Sequence, residues 1–379
     1  MSRKGPADPP ERRSWPTATP VDSVREQIMT PLPEASSSRP ARIQDVAERA
    51  GVSVPTVSRV LTGAQRVSAD KQQRVLQAIA ELNYRPSGAA RTLASGRPSA
   101  IAILAGNTSR YGYARTIEGI EEAARAAGYL VLIAVIENDD LASGAAAVDQ
   151  VLSQSVAGVV VLKFDPPGVA ALNALPDTVL RVVASGQREI NTPQAVIDET
   201  AGASEATDYL LGLGHRTVHH VAIPATGRED GRTIGWRKAL RRAGADVPEV
   251  LGWTWDPAEA REIGRSIGEN RPDITALLCG NDEIAMGIMR GLQDVGRQVP
   301  GDVSVIGFDD HPLAALWSPA LTTVAQDFVD LGRRSFALLA AQLEQEDSSD
   351  KPPRRTARTR RSSRPAVLMI RESAAEKRH

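Results

Sequence analysis

Polar side chains stand just past a series of short apolar runs, where an open parallel sheet would leave room for a ligand. Asn107 follows AIAIL (100–104), Asp198 follows AVI, Asn281 follows ALLCG and Asp309 follows VIGF, while Arg232 falls on the helical stretch after VHHVAI (218–223). Ligands of such sheets sit beyond the carboxyl ends of the strands. Carboxylates at those ends could serve acid–base chemistry. No GxSxG, Walker-type or GxGxxG loop accompanies them, however, which argues against an enzyme. His215, His219 and His220 invite a zinc reading, but they straddle the entry to one strand, with no cysteine or acidic cluster near in sequence. No metal and no cofactor is therefore expected. Blander roles stand beside these: Asp282 and Asp198 read as helix caps, Asp310 as a loop carboxylate, and Arg232 and Asp309 could pair with each other.

A second chemistry lies in IQDVAERAGVSVPTVSRVLT (43–62). Val46, Ala47 and Ala50 share one helical face, and Val57, Val60 and Leu61 share another, at the offsets of a buried stripe. Gly51 sits in the turn between them, where a positive φ is free of penalty. Ser53 reads as the N-cap of the second helix and Pro55 falls in its first turn. Ser68 is placed to cap a third helix, about 69–83, whose Val75, Ala78, Ile79 and Leu82 return to the same small core. Arg42 offers no cap oxygen to the first helix, leaving Asp45 to compensate. This is the layout of a helix-turn-helix, whose second helix lies in the major groove of duplex DNA. From Arg39 to Arg97 ten Lys and Arg face four Asp and Glu, in a chain whose net charge is −1. A local cationic surplus inside a near-neutral chain suits a phosphate-facing surface.

The elements that would position the ligand groups alternate in period. AIAIL, YLVLIAVI (129–136), GVVVL (158–162), LRVVA (180–184), VHHVAI, ITALLC (274–279) and VSVIGF (303–308) read as parallel strands buried on both faces. Amphipathic stretches such as 113–127, 199–213 and 283–294 lie between them, giving a doubly wound α/β body. Residues 1–41 hold eight of the 25 prolines and nearly balanced charge, and are expected to be a disordered extension. Residues 351–364 carry Lys351 and six arginines with no acid, and read as a solvated loop before the strand-like AVLMIRES. No leucine heptads follow that run. No apolar run is long enough to span a bilayer, so no membrane partner is expected. Cys279 is the only cysteine, which excludes a disulfide within the chain and agrees with a cytoplasmic location.

IQDVAERAGVSVPTVSRVLTG and the VSADKQQRVLQAIAELNYRPSGAARTLASGR that follows resemble the headpiece and hinge of the LacI/GalR family of bacterial repressors. TIEGIEEAARAAGY, RTIGW, CGNDEIAMGIMRGL, VSVIGFDD and LTTVAQD continue the likeness over about 42–375. The resemblance implies an all-α helix-turn-helix headpiece (42–84) joined by a hinge helix (85–98) to an α/β body (99–375) of the periplasmic-binding-protein type. It divides that body into an N-subdomain, about 99–196 and 326–353, and a C-subdomain, about 197–325 and 354–375. It places Val54, Pro55 and Arg59 against base edges, though Arg59 could instead bind phosphate, with Thr56 and Ser58 toward the backbone and Leu93 wedged in the minor groove; Ser53 and Ala90 join the DNA-binding set. Arg232, Asn281 and Asp309 would form an effector pocket, an Arg fork and a carboxylate bracketing vicinal hydroxyls. Asn107 would join them, with Tyr111 and Tyr113 stacking on a sugar face. The implied partners are duplex operator DNA, a small sugar-like effector and a second copy of the chain. The rival reading is a periplasmic-type solute binder with no DNA role.

Overall fold

Three short helices make up the first unit of the structure, a computed structural model that describes residues 41–62, 67–85, 98–186, 192–224, 229–348 and 361–377. Helix α1 (Ile43–Ala50) has no side-chain cap from Arg42. Asp45 compensates, its carboxylate accepting the Arg42 N–H at 2.7 Å. Gly51 ends the helix at φ 62°, a left-handed turn that aims the chain into α2 (Val54–Thr62). The Ser53 carbonyl accepts the N–H groups of Thr56 and Val57 at 2.9 and 3.2 Å. Helix α3 (Ala69–Glu81) starts at Ser68, but the Ser68 hydroxyl makes no capping bond. Val46, Ala47, Ala50, Val57, Val75, Ala78 and Tyr84 form the buried core. Leu61 departs from the expected stripe: it lies one residue past Val60 at the helix end and is exposed. Arg49 and Glu81 tie α1 to α3.

The second unit begins after Pro86 and contains two sheets. The first is built from β1 (Ala100–Ala105), β2 (Leu130–Val135), β3 (Val159–Lys163), β4 (Arg181–Ser185) and β5 (Gln194–Asp198). Helices α4 (Tyr111–Ala126), α5 (Leu141–Leu152) and α6 (Pro166–Ala174) connect its strands. The chain then enters a second lobe through α7 (Glu199–Gly212), β6 (His219–Val221), α8 (Gly231–Ala243), α9 (Pro257–Asn270), β7 (Ala276–Cys279), α10 (Asp282–Asp294), β8 (Ser304–Ile306) and β9 (Thr323–Ala325). It returns to the first lobe as α11 (Phe328–Ser348) and β10 (Arg361–Pro365), and ends in the second with β11 (Val367–Met369). Strand order is β10-β5-β4-β3-β1-β2 in the first sheet and β6-β7-β8 in the second, all parallel, with β9 and β11 paired antiparallel.

Two expectations fail here. Strand β2 is not buried on both faces: Leu130, Leu132, Ile133 and Val135 are exposed, because β2 is the sheet edge and has one neighbour. The Arg-rich run is not a loop throughout. Its last residues form β10, pairing in parallel with β5 from Gln194 to Asp198, so the third crossing between lobes follows Pro365 rather than falling in the 350s. Backbone pairing needs no apolar side chains. Arg334 on α11 secures the strand, donating to the carbonyls of Ser362 at 2.7 Å and Val196 at 3.3 Å. The first 40 residues, the segment 86–97 with Ala90 and Leu93, and residues 351–360 lie outside the described residues.

Candidate functional site

On α2 the residue types sort by face. Val57 is buried in the headpiece core, whereas Ser53, Val54, Pro55 and Arg59 are exposed and Thr56 and Ser58 half-buried. The Ser53 and Thr56 hydroxyls bond each other at 2.9 Å, which rigidifies the first turn. A guanidinium beside two apolar side chains on one projecting helix is a combination that can bond a guanine edge while touching a thymine methyl.

In the body, a cleft opens beyond the carboxyl ends of the strands. Residues from both lobes line it, among them Tyr111, Tyr113, Arg232, Asn281 and Asp309. Arg232 is buried, and its donors are already engaged. Nε and one terminal nitrogen donate to Glu199 Oε1 at 3.2 and 2.9 Å, that nitrogen lies 3.3 Å from Asp309 Oδ1, and the other donates to the Gly280 carbonyl. Its plane also lies 4.5 Å over the Phe308 ring. Arg232 and Asp309 thus do pair, and they do so on the cleft wall. Asp309 adopts φ 109°, an unusual conformation for a residue with a side chain, fixed by Gln326 donating to Oδ1 at 2.7 Å. Burial pushes the Asp309 carboxyl up to about 6 even with Arg232 beside it, and burial raises Glu199 likewise.

Other expected residues take different roles. Asn107 is not on the cleft wall: its side-chain oxygen accepts the N–H groups of Ser109 and Arg110, both at 2.8 Å, and so turns the chain into α4. Asn281, not Asp282, caps α10, accepting from the Ile284 N–H at 2.8 Å. Asp282 is buried and holds the His311 N–H at 2.6 Å and the Thr323 hydroxyl. Asp198 caps α7, and Asp310 pairs with Arg371 at 2.6 Å. Tyr113 packs edge-on against Phe164, with its hydroxyl buried near Asp165. The three histidines diverge. His215 bonds Thr275 and Ser304, and His220 bonds the Leu278 carbonyl and Thr233, while His219 approaches Arg271. Among the described residues no cluster suits a metal ion.

Glu199, Phe164, Trp255 and Phe328 complete the wall without having been picked out from the sequence. Phe164 stands at the end of β3, so the strand-end rule points to it. Trp255 carried no such signal; it is stacked by Arg110 at 4.4 Å, and Arg110 lies 3.7 Å from the buried Asp165.

Residues 42–87 match the family described as bacterial regulatory proteins, lacI family, and residues 207–373 match a periplasmic binding protein-like domain. The HTH-type transcriptional repressor PurR of Pectobacterium carotovorum subsp. carotovorum is 32% identical over 305 residues, covering 79% of this chain and 89% of that one. PurR of Shigella sonnei is 32% identical over 307 residues with the same coverage. Among solved structures, the lac repressor dimer bound to operator and the anti-inducer ONPF superposes with TM-score 0.76 at 27% identity, covering 89% of this chain and 100% of that chain. The transcriptional regulator CelR in complex with cellobiose gives 0.63 at 27%, covering 88% and 99%. With a helix-turn-helix unit matched at its start and full-length repressors matched along most of its length, the chain belongs to the LacI family of bacterial regulatory proteins.

Proposed function

We propose that this chain is a cytoplasmic, non-enzymatic transcriptional repressor that binds a partly palindromic duplex operator as a homodimer and releases or tightens its hold when a small sugar-like effector enters the cleft. The observation that carries this reading is α2, which buries Val57 while presenting Val54, Pro55 and Arg59 outward, in a chain whose body holds a ligand-sized cleft. Arg59 reads a guanine edge, Val54 and Pro55 make apolar contacts, and Ser53, Thr56 and Ser58 contact the backbone and fix register. Ala90 and Leu93 are assigned to the minor groove, where a leucine wedge kinks DNA.

Dimerisation is supported by half-site logic, since one small headpiece binds weakly. It is supported too by the exposed Leu130, Leu132, Ile133 and Val135 on edge strand β2, an apolar row that a second copy would cover. The solute-binder alternative leaves the headpiece without a role. A sugar-like effector fits a cleft walled by rings and hydrogen-bonding groups, and cellobiose is the ligand in the CelR complex.

Selection of bound sites from random duplex DNA tests the reading directly, with gel shifts of the chain with and without residues 1–97. Arg59→Ala should relax base preference at one position of each half-site while leaving the salt dependence nearly unchanged. Unaltered selectivity would remove Arg59 from base readout, and no preference for any duplex over genomic competitor would overturn the reading.

A further inference from the structure

The cleft is richer in acceptors than in donors. Arg232 carries one positive charge, and two buried carboxylates, Glu199 and Asp309, share it. Its other terminal nitrogen donates one N–H to the Gly280 carbonyl, so each guanidinium nitrogen already has a partner within the protein. Asp230 adds a third buried carboxylate on the same wall, though the start of α8 satisfies it: the N–H groups of Arg232 and Thr233 and the Thr233 hydroxyl donate to it at 2.8, 3.0 and 2.7 Å. On the opposite lobe Arg110 is balanced by Asp165, and Lys163 and Glu283 add one charge of each sign to the lining. What stays unbalanced is the Glu199–Asp309 pair. Beside Asp309, the Gln326 amide oxygen is a further buried acceptor with no partner among the described residues.

The position of Glu199 is built into the backbone. A Cβ at Gly186, just past β4, would run into the Glu199 carboxyl group and push it aside, so glycine there leaves the carboxylate in its present place. The same cleft is lined by aromatic side chains: Tyr111, Tyr113, Phe164, Trp255 and Phe328 are five of the chain's fourteen Phe, Trp and Tyr. Carboxylates facing ring faces in a confined space select a cation, the carboxylates through charge-assisted bonds and the rings through their negative faces.

We propose that the effector is a polyhydroxylated primary amine of the amino-sugar class, its ammonium group docking at Glu199 and Asp309 and its ring lying against the aromatic wall. The assignment rests on reading the cleft as the effector site. Anionic compounds, sugar phosphates and sugar acids among them, are disfavoured there because they would meet two carboxylates that share one guanidinium. Burial raises both acids above their ordinary range, and a cation docked between them favours their ionised forms.

The test uses the full chain in thermal-shift and calorimetric titrations with four probes in each of the gluco, galacto and manno series: the hexose, the 2-amino-hexose, the hexuronate and the hexose 6-phosphate. A hexosamine should bind about tenfold or more tightly than its parent hexose, and the anions should give no shift. In Glu199→Gln the amine's advantage should fall toward parity while hexose binding persists, a selective change that a general loss of structure would not produce. Should that variant not fold, the wild-type ranking decides alone. Parity between hexose and hexosamine, or strongest binding by an anion, keeps the cleft as an effector site and overturns the amine. Binding of none of the twelve probes overturns both the amine and the sugar-like effector.

Discussion

Arg232 sits between two acids that are both buried, and this fixes what its loss would do. Arg232→Ala leaves Glu199 and Asp309 facing each other without a counter-charge, a change that costs about 3–5 kcal/mol when a buried pair is broken. Urea denaturation should register that loss, and titration should show the effector response gone. Asp309 gives a pH dependence with a definite sign. Its folded carboxyl titrates near 6 against 3.8 unfolded, with Arg232, Glu199, Glu283 and Gln326 around it. The folded chain therefore holds this proton more tightly than the unfolded one, and the stability it contributes is present below pH 4 and lost as pH rises through 6. Asp309→Asn should flatten that part of the stability profile. An ammonium ligand should conversely bind less well below pH 6, where Asp309 is neutral. Arg232 and Asp309 were legible because strand ends announce themselves. Glu199 was not: its neighbour Asp198 already explained the helix start, and its partner Arg232 lies 33 residues away. Asn281 rather than Asp282 took the cap while still lining the cleft, since two adjacent side chains able to cap a helix cannot be ranked without knowing which is buried.

Among the elements, strand β10 is the one that composition disguised. Its Arg and Ser side chains carry no strand period, yet its backbone completes the edge of the first sheet beside β5. The tie is Arg334, whose head group reaches Ser362 and Val196 carbonyls and pairs with Asp330 at 2.7 Å. Arg334→Ala should release β10, and hydrogen exchange at 194–198 and 361–365 should quicken while the β1–β3 amides remain protected. The opposite edge misled for another reason. An apolar run reads alike whether a helix, a sheet or another protein covers it, and among the described residues β2 is left with Leu130, Leu132, Ile133 and Val135 exposed. The headpiece, by contrast, was readable almost throughout, because glycine, cap and stripe all act within a few residues. Only Leu61, at a helix end where the stripe runs out, and the silent Ser68 hydroxyl departed from expectation.

For the whole molecule, the proposed assembly depends on that uncovered edge. Ile133→Lys places a charge on an apolar strand residue that is 46% exposed, so it should leave the monomer folded and shift sedimentation equilibrium toward single chains. Operator affinity should fall with it, because each half-site is then held by a separate molecule. Unchanged mass and unchanged affinity would show that β2 faces solvent in the assembly. The two-lobed body was legible as alternating strands and helices, but the crossings were visible only through family likeness, and the last of them was set about a dozen residues early.

That last crossing has a practical result. Everything after β9 is shared out between the lobes, α11 and β10 going to the first and β11 to the second. No shortening from the carboxyl terminus that reaches α11 can therefore yield one intact half: the lobes are sewn by a single thread, and pulling out its final stitches opens both seams at once.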